Sequence, residues 1–295
     1  MPTLRDIRNR ILSVKNIEKI TSAMKMVSSV KVRKAQKLIE TSHLFFDKIE
    51  NMLVTITNTD KTYYNPLLTS NSEFNKNIVI LIIGGDKGLC GAFNNNLFKT
   101  VDNYLTTTFI EKYPLAISPK LILIGNKTIE HYTKNKNNYN ILYSFSSAFQ
   151  PLDYNIVTKN HELIINDFLN KKIDKVEIFY NRLVNPIKQE PTHLQLLPLN
   201  IENKQQQIKI KQIDYIFEPN HNIIIDALIN QYFNLTIWNS LLESNAAEQS
   251  ARLLAMDKAT QNANDLIKEL ELQFNNARQN AITTEMLEIV SGVTS

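Results

Sequence analysis

From Asn220 to Ser291 the chain reads NHNIIIDALINQYFNLTIWNSLLESNAAEQSARLLAMDKATQNANDLIKELELQFNNARQNAITTEMLEIVS, 72 residues with neither glycine nor proline. An interior glycine costs a helix about 1 kcal/mol and a proline about 3 kcal/mol, so their joint absence marks uninterrupted helix. Globular helices average about 11–12 residues, and this run is several times longer. Within it Ala263, Leu266, Leu270, Phe274, Ala277 and Ala281 recur at spacings of three and four, an apolar seam on one face. Ala247, Ala251, Ala255, Ala259 and Ala263 make a stripe at every fourth position, small enough for another helix to approach closely.

A second run without either breaker covers residues 3–65, and its seam is Leu4, Ile7, Ile11, Val14, Ile17, Ile20, Met24 and Val27. A helix of this size would be roughly 80–100 Å long at 1.5 Å per residue, too slender to bury its seam alone. Charge selects its partner. Residues 1–40 carry ten basic side chains against Asp6, Glu18 and Glu40, a net of +7. Residues 222–295 carry four basic side chains against nine acids, a net of −5. Opposite charge flanking two seams predicts an antiparallel coiled coil of the chain ends.

The middle is punctuated differently. Five of the six glycines fall between Gly84 and Gly125, and seven of the nine prolines between Pro66 and Pro198. Strands are expected at 78–83, 120–125 and 176–180, with weaker ones at 193–199 and 207–213. Helices are expected near 93–112, 126–136 and 157–171, which gives a βαβ arrangement with a mainly parallel sheet. The expected fold class is therefore α/β: a coiled-coil helix over 1–62, a Rossmann-like domain over 66–214, and a returning helix over 215–295.

The 295 residues are 43% hydrophobic and 21% charged, a composition that supports a packed core rather than disorder. The single cysteine, Cys90, excludes an intrachain disulfide. The apolar run Ile78–Ile83 falls far short of the roughly 20 residues of a membrane span, and Arg5, Asp6, Arg8 and Arg10 interrupt any apolar leader. These features predict a soluble intracellular protein that does not insert in a membrane.

The loop Gly84-Gly85-Asp86-Lys87-Gly88-Leu89-Cys90-Gly91 follows a strand and precedes a helix, a position that attracts anions. Its spacing matches neither the P-loop nor the dinucleotide pattern, so a tight structural turn at Gly85, Gly88 and Gly91 is the reading preferred over nucleotide binding. Cys90 reads as a small packed side chain rather than a nucleophile. The histidines His43, His131, His161, His193 and His221 have no metal-ligand spacing. No catalytic residues, cofactor or metal are expected. Ten cations in forty residues keep a basic coiled-coil nucleic-acid binder open as an alternative, and an enzyme built on the central domain is a more distant one.

Four blocks carry a resemblance. They are Ile17-Glu18-Lys19-Ile20-Thr21-Ser22-Ala23-Met24-Lys25-Met26-Val27, Gly85-Asp86-Lys87-Gly88-Leu89-Cys90-Gly91-Ala92-Phe93-Asn94, the segment 251–260, and Ala277-Arg278-Gln279-Asn280-Ala281-Ile282-Thr283-Thr284-Glu285. In order and spacing they resemble the γ subunit of F-type ATP synthases across essentially the whole chain. The resemblance implies a non-catalytic rotor shaft of a proton-translocating enzyme, turned by the membrane c-ring inside a hexamer of α and β subunits, with ε bound at its foot. It implies a peripheral position on the cytoplasmic face of a bacterial plasma membrane and no nucleic-acid partner. By motif, Met24, Lys25 and Arg252 would lie near an acidic catch loop of β, and Arg278, Gln279, Thr283 and Glu285 would meet the upper catch region. Thr284 stands where many members have glutamine, which departs from one catch contact. The redox switch of chloroplast relatives is excluded by the lone cysteine, and heavy Asn, Lys and Ile usage suggests an AT-rich genome.

Overall fold

The computed structural model describes residues 3–59, 65–68, 76–116, 118–134, 139–149, 152–199, 218 and 220–293. Helix α1 is Leu4–Thr59 and the last helix, α6, is His221–Val293. At the start of α1 a reciprocal cap forms: the Asp6 amide donates to Thr3 Oγ1 at 3.2 Å and the Thr3 amide to Asp6 Oδ2 at 3.1 Å. Between the long helices lie β1 (Ile78–Ile83), α2 (Phe93–Asn103), a π turn (Tyr104–Thr108), α3 (Phe109–Lys112), β2 (Lys120–Ile124) and α4 (Asn126–Lys134). They are followed by β3 (Asn140–Phe145), α5 (Asn155–Leu169), β4 (Lys175–Leu183) and β5 (Gln189–Leu197).

The sheet order is β3-β2-β1-β4-β5, parallel except for the β4–β5 hairpin. This is a doubly wound order, with the chain reversing direction across the sheet at β1. Both faces are covered, which is why β1 is apolar at all six positions. On one face Val79, Leu81 and Ile83 pack with Leu53 of α1, Phe168 of α5 and Phe233 of α6. On the other, Ile78, Ile80 and Ile82 pack with Leu97 of α2 and Tyr132 of α4.

By contacts the chain divides into two compact units, Met1–Val30 with Arg252–Ser295, and Lys31–Ala251. In the first, α1 and α6 pair through Ile7, Ile11, Val14, Ala263 and Leu270, with Leu266, Phe274 and Ala277 packed alongside. Lys15–Glu271 at 2.8 Å and Lys25–Asp257 at 2.6 Å flank that seam and show the antiparallel direction.

Three expectations change. In the first unit the buried positions of α1 are Ile7, Ile11, Val14, Thr21 and Ser28, whereas Ile17, Ile20 and Val27 are more than half exposed. The seam there keeps a seven-residue period, 7-14-21-28, and lets Thr21 and Ser28 occupy it because their small side chains permit close helix approach. Thr260 Oγ1 meets Thr21 Oγ1 at 2.9 Å there. Second, β3 is a half-buried edge strand that the sequence reading passed over, since its neighbours are polar and its alternation is weak. Third, the strand expected at 193–199 begins earlier, at Gln189, while the strand expected at 207–213 lies outside the described residues.

Candidate partner interface

The glycine loop sits at the reversal point of the sheet, where doubly wound folds usually take their ligands. Here the chain's own side chains fill it. Asp86 accepts the Asn126 amide at 3.0 Å and the Phe149 amide at 2.8 Å, and Asn94 Oδ1 accepts the Gly85 amide at 2.9 Å. A Cβ on Gly85 would stand 3.1 Å from both Asn94 and the buried Glu248 of α6. Ser244 of the same helix donates to the Ile83 carbonyl at 3.3 Å. Two carboxylates thus stand where a phosphate would have to sit, and they would repel it. Gly91 has φ 59°, the left-handed region, while a Cβ on Gly88 meets nothing within 4 Å. Cys90 is buried against Phe93, Ala247 and Ala251, which places part of the alanine stripe on the sheet domain. Among the described residues no group of three His, Cys, Asp or Glu side chains is arranged to hold a metal.

The densest charge cluster surrounds Glu177 on β4, which has no exposed surface. It accepts from Tyr104 Oη at 2.5 Å and Tyr113 Oη at 2.7 Å, and pairs with Lys112 Nζ at 3.1 Å and His193 Nε2 at 3.1 Å. Burial alone would raise its pKa, but the bonds from His193, Tyr104 and Tyr113 outweigh burial and hold it well below the carboxylate range. Both tyrosine hydroxyls are pushed well above their ordinary value, chiefly by burial and then by Glu177. The His193 ring stacks on Phe179 at 4.4 Å. These groups clamp the π turn and α3 to the β4–β5 edge hairpin. No sequence motif marks them, because they come from four separated elements.

The residues singled out by motif lie in the first unit, on α1 and α6. Met24 is half-buried, and Lys25 is exposed with its ammonium on Asp257. Arg252 is only 6% exposed and has partners within the chain. Arg278, Gln279, Thr283 and Glu285 are all exposed on α6. At 100° per residue they divide between two faces. Arg278 and Glu285, seven apart, share one, while Gln279 and Thr283, four apart, share another, with Thr283 Oγ1 donating to the Gln279 carbonyl at 2.9 Å.

Around them α6 runs on past its own partner. The packed seam ends near Ala277, and beyond it Ile282, Met286, Leu287 and Ile289 are exposed. A run of exposed apolar side chains is a candidate surface for contact with another chain. On α1 the same holds for Leu12, Ile17, Ile20, Met26, Val27 and Val30. The sequence reading assigned three of these to the intrachain seam. Their exposure identifies them instead as candidate contacts, a role that hydrophobic periodicity alone could not distinguish.

Comparison with known proteins agrees with this arrangement. Residues 3–295 match the family described as ATP synthase. The ATP synthase gamma chain of Pelodictyon phaeoclathratiforme is 39% identical over 296 residues, covering 99% of this chain and 98% of its own. That of Chlorobium limicola is 37% identical over 292 residues with the same coverage, and that of Aquifex aeolicus 34% identical over 291 residues, covering 98% and 96%. A chain of the Euglena gracilis mitochondrial ATP synthase (OSCP/F1/c-ring, rotational state 3) superposes with a TM-score of 0.63 at 18% identity, covering 99% of this chain and 93% of that one, a likeness of fold. With the family model matching residues 3–295 and relatives 34–39% identical over nearly their whole length, the chain belongs to the ATP synthase gamma chain family.

Proposed function

We propose that this chain is the central rotor shaft of an F-type ATP synthase, coupling rotation of a membrane c-ring to the catalytic sites of an α/β hexamer. The observation that carries this reading is the end of α6, which extends past its intrachain seam with apolar side chains exposed. A shaft inside a protein sleeve needs such a segment: rigid through its backbone hydrogen bonds, unpaired within its own chain, and apolar where it bears on the sleeve. In this role Ile17, Ile20 and Val27 of α1 and the Ile282–Ile289 stretch of α6 bear on the hexamer. Arg278 and Glu285 supply charged contacts on one face of the tip, and Gln279 and Thr283 polar contacts on the other. Met24 and Lys25 lie toward an acidic catch loop of β, while Arg252, held inside the chain, positions the helix pair beneath them.

Torque passes down a structure whose two helices are tied by burial. Each buried Ile, Val or Leu of the seam contributes about 1.5–3 kcal/mol, while the exposed Lys15 and Lys25 pairs each contribute at most about 1 kcal/mol. The sheet domain supplies the broad foot for ε and the c-ring. The chain performs no chemistry itself; nucleotides bind in the hexamer. Among the described residues no helix is long and apolar enough to cross a membrane, and the chain is a peripheral subunit of the membrane complex. Its place is the cytoplasmic face of a bacterial plasma membrane.

The nucleic-acid alternative needs identical basic helices paired between molecules. Pairing of the α1 seam with α6 of the same chain, and engagement of Lys15 and Lys25 by Glu271 and Asp257, favour the rotor. The test is reconstitution with cognate α and β subunits followed by gel filtration and an ATPase assay. Co-elution as one particle with ATPase activity dependent on this chain is expected. Elution apart from the hexamer, with salt-sensitive DNA binding, would sink the rotor reading.

A further inference from the structure

In the Lys31–Ala251 unit, a groove of about 600 Å³ opens between α1, α6 and the loop that follows β3. From α1 it is lined by Lys31, Lys34, Ala35 and Leu38, a single face at spacings of three, four and seven. From α6 it takes Trp238, Asn245 and Gln249, again one face. Phe149 and Leu152, joined by an isolated antiparallel bridge, form its lip.

The groove is graded from one end to the other. Tyr232 donates to Glu50 Oε1 at 3.2 Å and Ser42 donates to Asn239, so the two helices run antiparallel here. Stepping back along α1 from Ser42 toward Lys31 therefore moves forward along α6 from Asn239 toward Gln249. Lys31 and Lys34 fall at the end that holds the amides of Asn245 and Gln249. Leu38 falls at the end that holds Trp238, and Tyr154 meets the Trp238 ring edge-on at 5.3 Å, bringing the loop's apolar lip to that same end. No carboxylate lines the groove, and neither lysine makes an ion pair among the described residues. Volume and lining fall within the range of small-molecule sites, about 300–1,000 Å³ with apolar walls and a few placed polar groups.

We propose that this groove binds a single-headed amphiphilic anion, a medium-chain carboxylate, with its head between Lys31 and Lys34 and its tail along Leu38, Trp238 and Phe149. Charge complementarity commits the head end to an anion: two cations and two side-chain amides line it, and no acid lines the groove. The apolar far end selects an alkyl tail over an inorganic anion. The chain's own segment 200–217 fits poorly, because Lys204, Lys209 and Lys211 outnumber Glu202 and Asp214 and would meet like charge.

Trp238 is the only tryptophan, so its emission reports on the groove alone. The purified full-length chain is titrated with dodecanoate below its micellar concentration. A saturable change in Trp238 emission is expected. The double substitution Lys31→Glu and Lys34→Glu, at exposed positions, weakens it at least tenfold with an unchanged circular dichroism spectrum. Dodecyl maltoside, an uncharged head on the same tail, produces no saturable change at equal concentration. Absence of saturation with dodecanoate, an equal response to the neutral amphiphile, or undiminished binding by the double variant each overturns the proposal. So does a Trp238 shift driven by protein concentration alone (a second copy), by a 200–217 peptide, or by an acidic amphipathic peptide when dodecanoate gives none.

Discussion

At the scale of single residues, Glu177 has the largest electrostatic consequences. Its folded pKa is depressed, so the stability it contributes is present above the unfolded carboxylate value of about 4.3 and is lost as pH falls below it. Glu177→Gln keeps the shape but removes the charge that His193, Lys112 and Lys175 face. It is expected to cost roughly 2–3 kcal/mol at neutral pH and progressively less in acid. Urea unfolding at pH 7 and pH 3.5 reads this directly; parallel losses at both values would contradict the assigned charge. The glycines divide by geometry rather than by motif. Gly125 has φ 100°, and a Cβ there would come 2.2 Å from the Gly84 carbonyl, so Gly125→Ala should cost at least about 2 kcal/mol in thermal unfolding. Gly88→Ala should stay within about 1 kcal/mol of the parent. On α6, Arg278→Ala or Glu285→Ala should lower torque or hexamer assembly more than Gly88→Ala does. Normal coupling in both would remove them from the contact set.

The elements show which parts of the sequence were readable. The long helices were legible because glycine and proline act locally: each costs the same whatever surrounds it. Their seam was only half legible. Hydrophobicity does not tell a buried seam from an exposed face, and on α1 it marks both. Ile17, Ile20 and Val27 lie on the exposed face that we propose bears on the hexamer, while Thr21 and Ser28 serve the seam through small size. Arg252 shows the same limit: its motif suggested a partner contact, and only the packed helix shows that its side chain is enclosed by its own chain. The Glu177 clamp was unreadable because its members lie on four elements that only the tertiary fold assembles. Removal of residues 281–295 belongs to this scale. Thermal unfolding of the isolated chain should move by less than about 1 kcal/mol, since residues 281–287 and Ile289 are exposed. Torque in the reconstituted complex should fall. A large loss of chain stability would mean that the segment packs on its own molecule.

At the scale of the whole molecule, the division of labour follows from the placement of charge and breakers. A basic first helix, an acidic last helix and a punctuated middle give a chain that closes on itself through its ends. The reversal point of the sheet, where a relative of this topology would take a nucleotide, is filled by Asp86, Asn94 and Glu248. A sheet domain of enzyme-like topology therefore leaves no open ligand site at that point, in keeping with the mechanical role we propose for it. The central claim is rotation, and it is testable on one molecule. With cognate α and β subunits fixed to a surface, a bead is attached through Leu115→Cys, an exposed site; Cys90, the only native cysteine, is buried. The account predicts stepwise rotation in one direction when ATP is added, abolished by removal of residues 281–295. A bead that stays still on a complex that hydrolyses ATP would contradict it.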